Sequence, residues 1–476
     1  MATQTVFLTN PAGTQATYVG NPPNDRYIIT DNDGNDTITL GGGADQLVLG
    51  NGNNTLTLGD GSDQLDLGDG NNTMTLGNGA DQIIAGNGSN TITTGAGDSQ
   101  IVVGDGNDTI SVGTGSNSIV LGIGLDTVST GAGHNVVAVS GATVSGDTLK
   151  GALTSGDGTT NRLVMSEHGT MNPVNVSGFA SWKLASGGPN SLTLSEGNFA
   201  RLPGGRITVT GGNSGNTINA AALSAAHSVT IDGGLGTDAV TGGAGNDVFR
   251  FTVGALANAD TVKGGGGSDT LWMKSAGTVR VGGVRGVETY KLATGTNTNA
   301  LALTNANFTG VSGATIHVLG GAAGNTVNDS AVTGTNHLVF TGGAGNDIIV
   351  AGSRTTMTGG GGANQFTFAH IGTNGITDFA ASTGNKIVLR DSGFNLGVDE
   401  GKGTGSLQHL AGSVFVANST GVFTSTSQRF AYNTTTGALR YDRDGSGSGF
   451  SASAVVVLSG HPALAAGLTG QVFFTA

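Results

Sequence analysis

Fourteen aspartates lie between Arg26 and Lys150, and no lysine, arginine or glutamate stands among them. That stretch has a net charge of −14, so the remainder of the 476-residue chain sums to +1. Carboxylates gathered this densely repel one another in a compact state. Either the segment is unfolded or soluble cations complete it. The ordering of the acids favours the second outcome: Asp36, Asp45, Asp63, Asp81, Asp108 and Asp126 sit at multiples of nine, and Asn54, Asn72, Asn90, Ser99, Asn117 and Asn135 fill the intervening places. Other chemistry is missing. The eight histidines, at 134, 168, 227, 317, 337, 370, 409 and 461, form no H-E-x-x-H pair, and there is no P-loop and no G-x-S-x-G elbow with a matching acid and histidine. The neighbours Glu167 and His168 read as a surface loop, and four Glu in all leave little for acid–base work. No enzymatic activity is expected.

Such spacing requires elements that repeat with it. From Asn32 to Val139 the chain divides without a gap into twelve nonapeptides, among them GGGADQLVL (41 to 49), GDGSDQLDL (59 to 67) and GDGNDTISV (104 to 112). The glycines make a turn, and the residues after the D/N position alternate outward and inward as a short strand. Asp and Asn alternate at the fifth position and Thr and Gln at the sixth, so the true period is eighteen. Two strands and two turns per coil predict a flattened parallel solenoid. One edge carries Asp45, Asp63 and Asp81, the other Asn54, Asn72 and Asn90, and beyond Ser99 the edges exchange roles, with Asp108 and Asp126 on the former Asn edge. Six coils stacked at about 4.8 Å predict an array about 29 Å tall, with Leu47, Leu49, Leu65, Leu67, Met74 and Leu76 inside. Outside runs a Thr-x-Thr ladder from Thr37 and Thr39 to Thr91 and Thr93.

The nonapeptides resemble the RTX family, whose G-G-x-G-x-D-x-U-x repeat builds a calcium-filled parallel β-roll. The resemblance implies multiple Ca²⁺ ions held by Asp carboxylates and glycine carbonyls of successive coils, hard oxygen ligands that suit this ion. Carried onto this chain it assigns Asp36, Asp45, Asp63, Asp81, Asp108 and Asp126 with Gly41, Gly43, Gly59 and Gly61 as metal residues. The first Gly of the family pattern is replaced here by Leu40, Leu49, Leu58, Leu67 and Leu76, which lengthens the strand. Asn turns are expected to stack as amide ladders. Full double-Gly copies recur at 233 to 241, 242 to 250, 264 to 272 and 342 to 350. They add Asp238, Asp247, Asp269 and Asp347, with Gly234, Gly236, Gly243, Gly245, Gly265, Gly267, Gly343 and Gly345. Asp260 is a further candidate, and its step from Asp238, wider than the period of the first array and equal to that from Asp247 to Asp269, suggests a longer coil.

A larger duplication relates Gly146–Phe251 to Ala259–Phe368: FASWKL matches VETYKL, and GGNSGNTINA matches GGAAGNTVND. These modules resemble those of bacterial surface-layer proteins. Trp182 and Tyr290, at matched positions, are expected in the core. The segments ITDFAASTGNKIVL, RFAYNTTTGALRYDRDGSGSG and LSGHPAL resemble the C-terminal domain of RTX proteins exported by type I secretion, which implies an uncleaved C-terminal signal. The opening MATQTVFLTNPAGTQ has neither the cationic nor the apolar region of an N-terminal signal peptide. Asp442 and Asp444 form either part of a calcium loop or a polar hairpin turn.

Composition bounds the rest. Gly at 88 residues with 7 Pro excludes collagen, and 11% charged residues with no basic cluster exclude a coiled coil and a nucleic-acid binder. No apolar run spans a membrane. The expected architecture is all-β: a cap or arm (1–31), the β-roll (32–139), two tandem modules (140–255 and 256–370) and a C-terminal secretion domain (371–476). The expected protein is a secreted, calcium-dependent structural protein of a Gram-negative bacterium that self-assembles into a surface layer, fibre or matrix. Its partners would be itself, the type I secretion machinery and cell-surface lipopolysaccharide. Alternatives are binding of ice or another surface through the Thr-x-Thr face, and a polysaccharide-acting epimerase or lyase.

Overall fold

In each nonapeptide the glycines reverse the chain and the next three or four residues extend, giving strands such as Thr37–Thr39, Gln46–Leu49, Thr55–Thr57 and Gln64–Leu67. The computed structural model describes residues 2–8, 15–20, 25–140, 147–150, 161–394, 407–466 and 470–475. Strands pair in parallel with the strand eighteen residues on: Thr37 faces Thr55, which faces Thr73, and Gln46 faces Gln64, which faces Gln82. The two sets form separate ladders, as the eighteen-residue period requires. A one-residue slip would turn every aliphatic side chain outward, so the pattern enforces the register. Ile38, Leu56, Met74, Ile92, Ile110 and Val128 from one ladder meet Leu47, Leu65, Ile83, Ile101, Ile119 and Val137 from the other, all at most 3% exposed. Each such side chain stabilises the coil by about 1.5–3 kcal/mol. Leu40, Leu49, Leu58, Leu67 and Leu76, in place of the family glycine, are buried too and widen the core.

The chain folds as two compact units, Met1–Gly245 and Asn246–Ala476. In the first, the N-terminal segment extends the ladders of the array. Thr3–Phe7 pairs in parallel with Arg26–Thr30, Arg26–Thr30 with Gln46–Leu49, and Thr17–Val19 with Thr37–Thr39. Tyr27 and Ile29 thereby enter the core. Asn21, Pro22 and Pro23, a sequence expected to interrupt any strand within residues 1–31, lie outside the described residues. Past Val139 the coils lengthen, so that Val136 faces Arg162 and Arg206 faces Ser228.

Within the second unit one parallel ladder runs through Val248–Phe251, Thr270–Met273, Thr289–Lys291, Thr315–Leu319, His337–Thr341, Thr355–Thr358 and Asn374–Ile376. A second runs through Asn299–Thr304, Asn325–Ala331, Ile348–Ala351, Gln365–Phe368 and Lys386–Arg390. The longer coil expected from the spacing of the acids appears where Val248 faces Thr270 and Thr326 faces Ile348. Antiparallel pairing enters only late among the described residues, between Gln408–His409 and Val472–Thr475 and in a meander of Phe430–Asn433, Ala438–Tyr441 and Ser453–Leu458 that rejoins the parallel ladder beside Asn374–Ile376. The tandem copies repeat their details: matching 3-10 turns, Glu196–Phe199 and Asn305–Phe308, are each closed by a buried Asn, Asn198 or Asn307. Trp182 and Tyr290 are both 1% exposed core residues.

Candidate metal centre

At every turn of the array the fifth-position side chain points inward and accepts the backbone N–H of its counterpart one coil earlier. One edge runs Asp36, Asn54, Asn72, Asn90, Asp108, Asp126, Asp147, with N···O distances of 2.8–3.2 Å. The other runs Asp45, Asp63, Asp81, Ser99, Asn117, Asn135, Asn161 at 2.8–3.5 Å, the longest being Asp81 N to Ser99 Oγ. All fourteen side chains are buried. This use of Oδ1 is common to Asp and Asn. Their difference lies in the second atom.

In an Asn turn that atom is an amide nitrogen, and it closes the turn. Asn72 Nδ2 donates to Gly70 O at 3.2 Å and to Asn90 Oδ1 at 3.0 Å, and Asn117 Nδ2 donates to Gly115 O at 2.8 Å and Asn135 Oδ1 at 2.9 Å. In an Asp turn it is an oxygen. Oδ2 of Asp45, Asp63, Asp81, Asp108, Asp126, Asp147, Asp269 and Asp347 is buried with no donor. At Asp347 it shares with the carbonyl oxygen of Gly359 the spot that a Cβ on Gly342 would occupy. The Asn364 amide occupies the corresponding spot at Gly359. Oxygen facing oxygen is repulsive until a proton or a cation lies between.

Burial accordingly raises these acids. Desolvation moves Asp63, Asp126 and Asp269 to about 7, with neighbouring carboxylates adding to it, and Asp45, Asp81 and Asp147 to about 6. Asp108 and Asp347 are raised for the same first cause. The turns also need glycine. A Cβ on Gly61 would lie far inside van der Waals contact with the Gly43 carbonyl, and Gly265 holds φ +110.

Among the described residues no three His, Cys, Asp or Glu side chains converge as a metal cluster. Each of these Asp turns instead offers a buried carboxylate oxygen, beside backbone carbonyls at Asp269 and Asp347, a hard-oxygen set that suits Ca²⁺. The expected residues divide by environment. Asp45 with Asp63, Asp63 with Asp81, and Asp108 with Asp126 are joined coil to coil, as is Asp247 with Asp269 at 2.8 Å. Asp36 leads into the Asn edge through Asn54, and Asp238 accepts both nitrogens of Asn216 at 2.7 and 2.9 Å. Asp260 uses Oδ2 to accept Ala257 N–H at 2.5 Å, a local cap of its own loop. Asp147, which continues the edge one coil past Asp126, was not expected from the nine-residue count. The signal that finds it is the G-D-T of its turn. At the C-terminal turn Asp442 Oδ1 accepts Asp444 N–H and Asp444 Oδ2 accepts Gly449 N–H, the hydrogen bonds of a self-closed hairpin. Glu167 and His168 are exposed.

No helix among the described residues is long and apolar enough to cross a membrane. A family model of the RTX calcium-binding nonapeptide repeat matches residues 28–56, 41–74, 75–106, 102–137, 228–249, 255–272 and 321–353. No curated protein matches the chain. The repeat match covers the turns of Asp45, Asp63, Asp81, Asp108, Asp126, Asp269 and Asp347, and the chain carries several copies of the RTX calcium-binding nonapeptide repeat, a repeat family that binds multiple Ca²⁺ ions.

Proposed function

We propose that this chain is an exported structural protein that folds as its Asp turns take up calcium and then assembles with copies of itself into a surface layer, fibre or matrix. The observation that carries the reading is the set of buried Oδ2 atoms without donors. At low calcium these carboxylates oppose folding; at high calcium the ion removes the repulsion and its binding energy becomes folding energy. RTX repeat proteins are generally secreted by Gram-negative bacteria, and export of an unfolded chain by a type I machinery fits such a switch. Assembly is supported by an outward file of Val48, Ile84, Val102 and Val120, 37–52% exposed, in which Asp66 is the one charged member, between Val48 and Ile84. Lipopolysaccharide is the proposed anchor. No catalytic role is part of this reading.

Circular dichroism with and without a chelator tests folding, and electron microscopy of the same samples tests assembly. A strand signal and a urea midpoint both unchanged by exhaustive chelation at pH 8 refute the switch; dispersed monomers at saturating calcium refute assembly. A second reading, binding of ice or another ordered surface, rests on the Thr files: Thr37, Thr55, Thr73, Thr91, Thr109 and Thr127 lie in strict parallel register. Absence of thermal hysteresis eliminates the ice reading.

A further inference from the structure

We propose that Glu288, which belongs to no nonapeptide, completes a calcium site with Asp269 and the carbonyl of Gly286. The inference rests on the calcium reading of the Asp turns. After Asp247 and Asp269 the next coil contains no repeat, and the family match in this region ends at residue 272. The carboxylate ladder nevertheless continues. Asp247 N–H donates to Asp269 Oδ1 at 2.8 Å, and Asp269 N–H donates to Glu288 Oε2 at 2.8 Å. Glu288 thus takes the place that a third Asp would hold. Its Oε1 accepts Ser312 N–H at 3.3 Å, and no Lys or Arg among the described residues pairs with it. Asp269 is 1% exposed and its Oδ2 has no donor. That atom and the carbonyl oxygen of Gly286 both fall on the spot that a Cβ on Gly264 would fill. Two oxygens, one of them charged, therefore meet in a turn only glycine permits, and the Glu288 carboxylate adjoins them through the Asp269 N–H.

The tandem copy supplies an internal comparison. Asn161, Gly178 and Ala180 match Asp269, Gly286 and Glu288 at one constant offset. The frame is the same, since Ser181 N donates to Asn161 O as Thr289 N donates to Asp269 O. There, Asn161 Nδ2 donates to Gly178 O at 3.2 Å, so the turn closes with an amide. In the second copy the amide has become a carboxylate, and the neighbouring alanine has become one of only four glutamates in the chain. Removing the donor and adding a second acid in the same turn is destabilising unless a cation is bound. Oxygen ligands from two carboxylates and a carbonyl belong to the chemistry of Ca²⁺.

Equilibrium dialysis of the full chain against radiolabelled Ca²⁺ counts the ions. Glu288→Gln keeps one oxygen to accept Asp269 N–H while removing the charge, and gives up only the longer, exposed bond from Ser312 N–H; it is expected to fold and to bind one ion fewer, or that ion at least about tenfold more weakly. A merely structural Glu288 leaves number and affinity unchanged in the variant, which overturns the proposal. The reciprocal pair Asn161→Asp with Ala180→Glu is expected to gain one ion; no gain also counts against the site. If the wild-type chain binds no Ca²⁺ at all, the reading of the Asp turns falls together with this one, whereas wild-type binding with an unaltered Glu288→Gln count removes this one alone.

Discussion

Asp63→Asn is expected to stabilise the protein without calcium and to destabilise it with calcium. Asp63 is fully buried between Asp45 and Asp81; its Oδ1 accepts Asp45 N–H at 2.8 Å and its Oδ2 has no donor. Desolvation, reinforced by the adjacent carboxylates, moves its pKa from 3.8 to about 7. A change of that size corresponds to roughly 4 kcal/mol once the group is ionised, and water at the rim of the turn reduces it to about 2 kcal/mol. Because the folded chain holds this proton more tightly than the unfolded one, the apo protein has its full stability below about pH 4 and loses it as pH rises through about 7. Asparagine keeps Oδ1 and supplies the Nδ2 that closes the turns of Asn54 and Asn72. Urea unfolding followed by circular dichroism at pH 8 in chelator should show the variant more stable by that reduced amount, the gain shrinking toward pH 4. If the chelated wild type is already unfolded at pH 8, the same effect appears as a higher pH of half-unfolding. In saturating calcium the order reverses, since Asp63 serves the coils on both sides, and each lost ion removes about 2.7 kcal/mol at a hundredfold excess over its Kd. A variant less stable than wild type in chelator at pH 8, or a gain independent of pH, refutes the argument.

Asn72→Asp, the converse change, replaces an amide donating to Gly70 O and Asn90 Oδ1 by an oxygen facing both, and is expected to cost about 1–3 kcal/mol in chelator by the same urea assay. Leu65→Ala empties a 3% exposed site between the ladders and should cost about 2–5 kcal/mol in calcium, read from the denaturant midpoint. Gly61→Ala drives a Cβ into the Gly43 carbonyl and should lower the calcium-saturated melt; a shift of less than about 2 °C, that of a change below about 1 kcal/mol in a unit the size of Met1–Gly245, would show that the turn yields easily.

The array was legible because one nine-residue signal determines turn, strand direction and register together. Leu47 and Leu65 are in the core for the same reason that Asp45 and Asp63 meet: both pairs are separated by one eighteen-residue coil. Beyond Val139 that coupling fails. Coils differ in length, shorter than the array's period between Ile348 and Gln365 and far longer between Thr289 and His317, because the connecting loops carry their own hydrogen bonds and no longer repeat. Asp147 escaped the count since its coil is longer than those before it. The strands around Tyr27 escaped because they lack the Gly-Asp turn, although Arg26–Thr30 alternates as strictly as any strand of the array. Asp260 shows the reverse problem: its spacing from Asp238 is that of the ladder, while its Oδ2 caps its own loop at Ala257. Spacing identifies a coil position; the second oxygen's environment is a property of the folded turn.

The distribution of Asp and Asn follows from what the second atom does. An Asn turn and an Asp turn have the same backbone and the same Oδ1 bond, so the coil's geometry does not need the carboxylate. What Asp would add, on the function proposed above, is a condition: near neutral pH the turn closes when a cation arrives. From Asn54 with Asp63 to Asp147 with Asn161, no coil has Asp on both edges, and Asn90 with Ser99 marks the coil where the acids change sides. Each of these coils therefore keeps one edge that closes with neutral donors, which holds the register where the other edge is Asp; the first coil of the array, Asp36 with Asp45, has acids on both. Two Asp edges would double the buried charge per coil and leave the apo chain no nucleus, and two Asn edges would fold irrespective of calcium. On the function proposed above, dividing the edges would make folding depend on calcium while leaving a template on which the ion-binding turns can form.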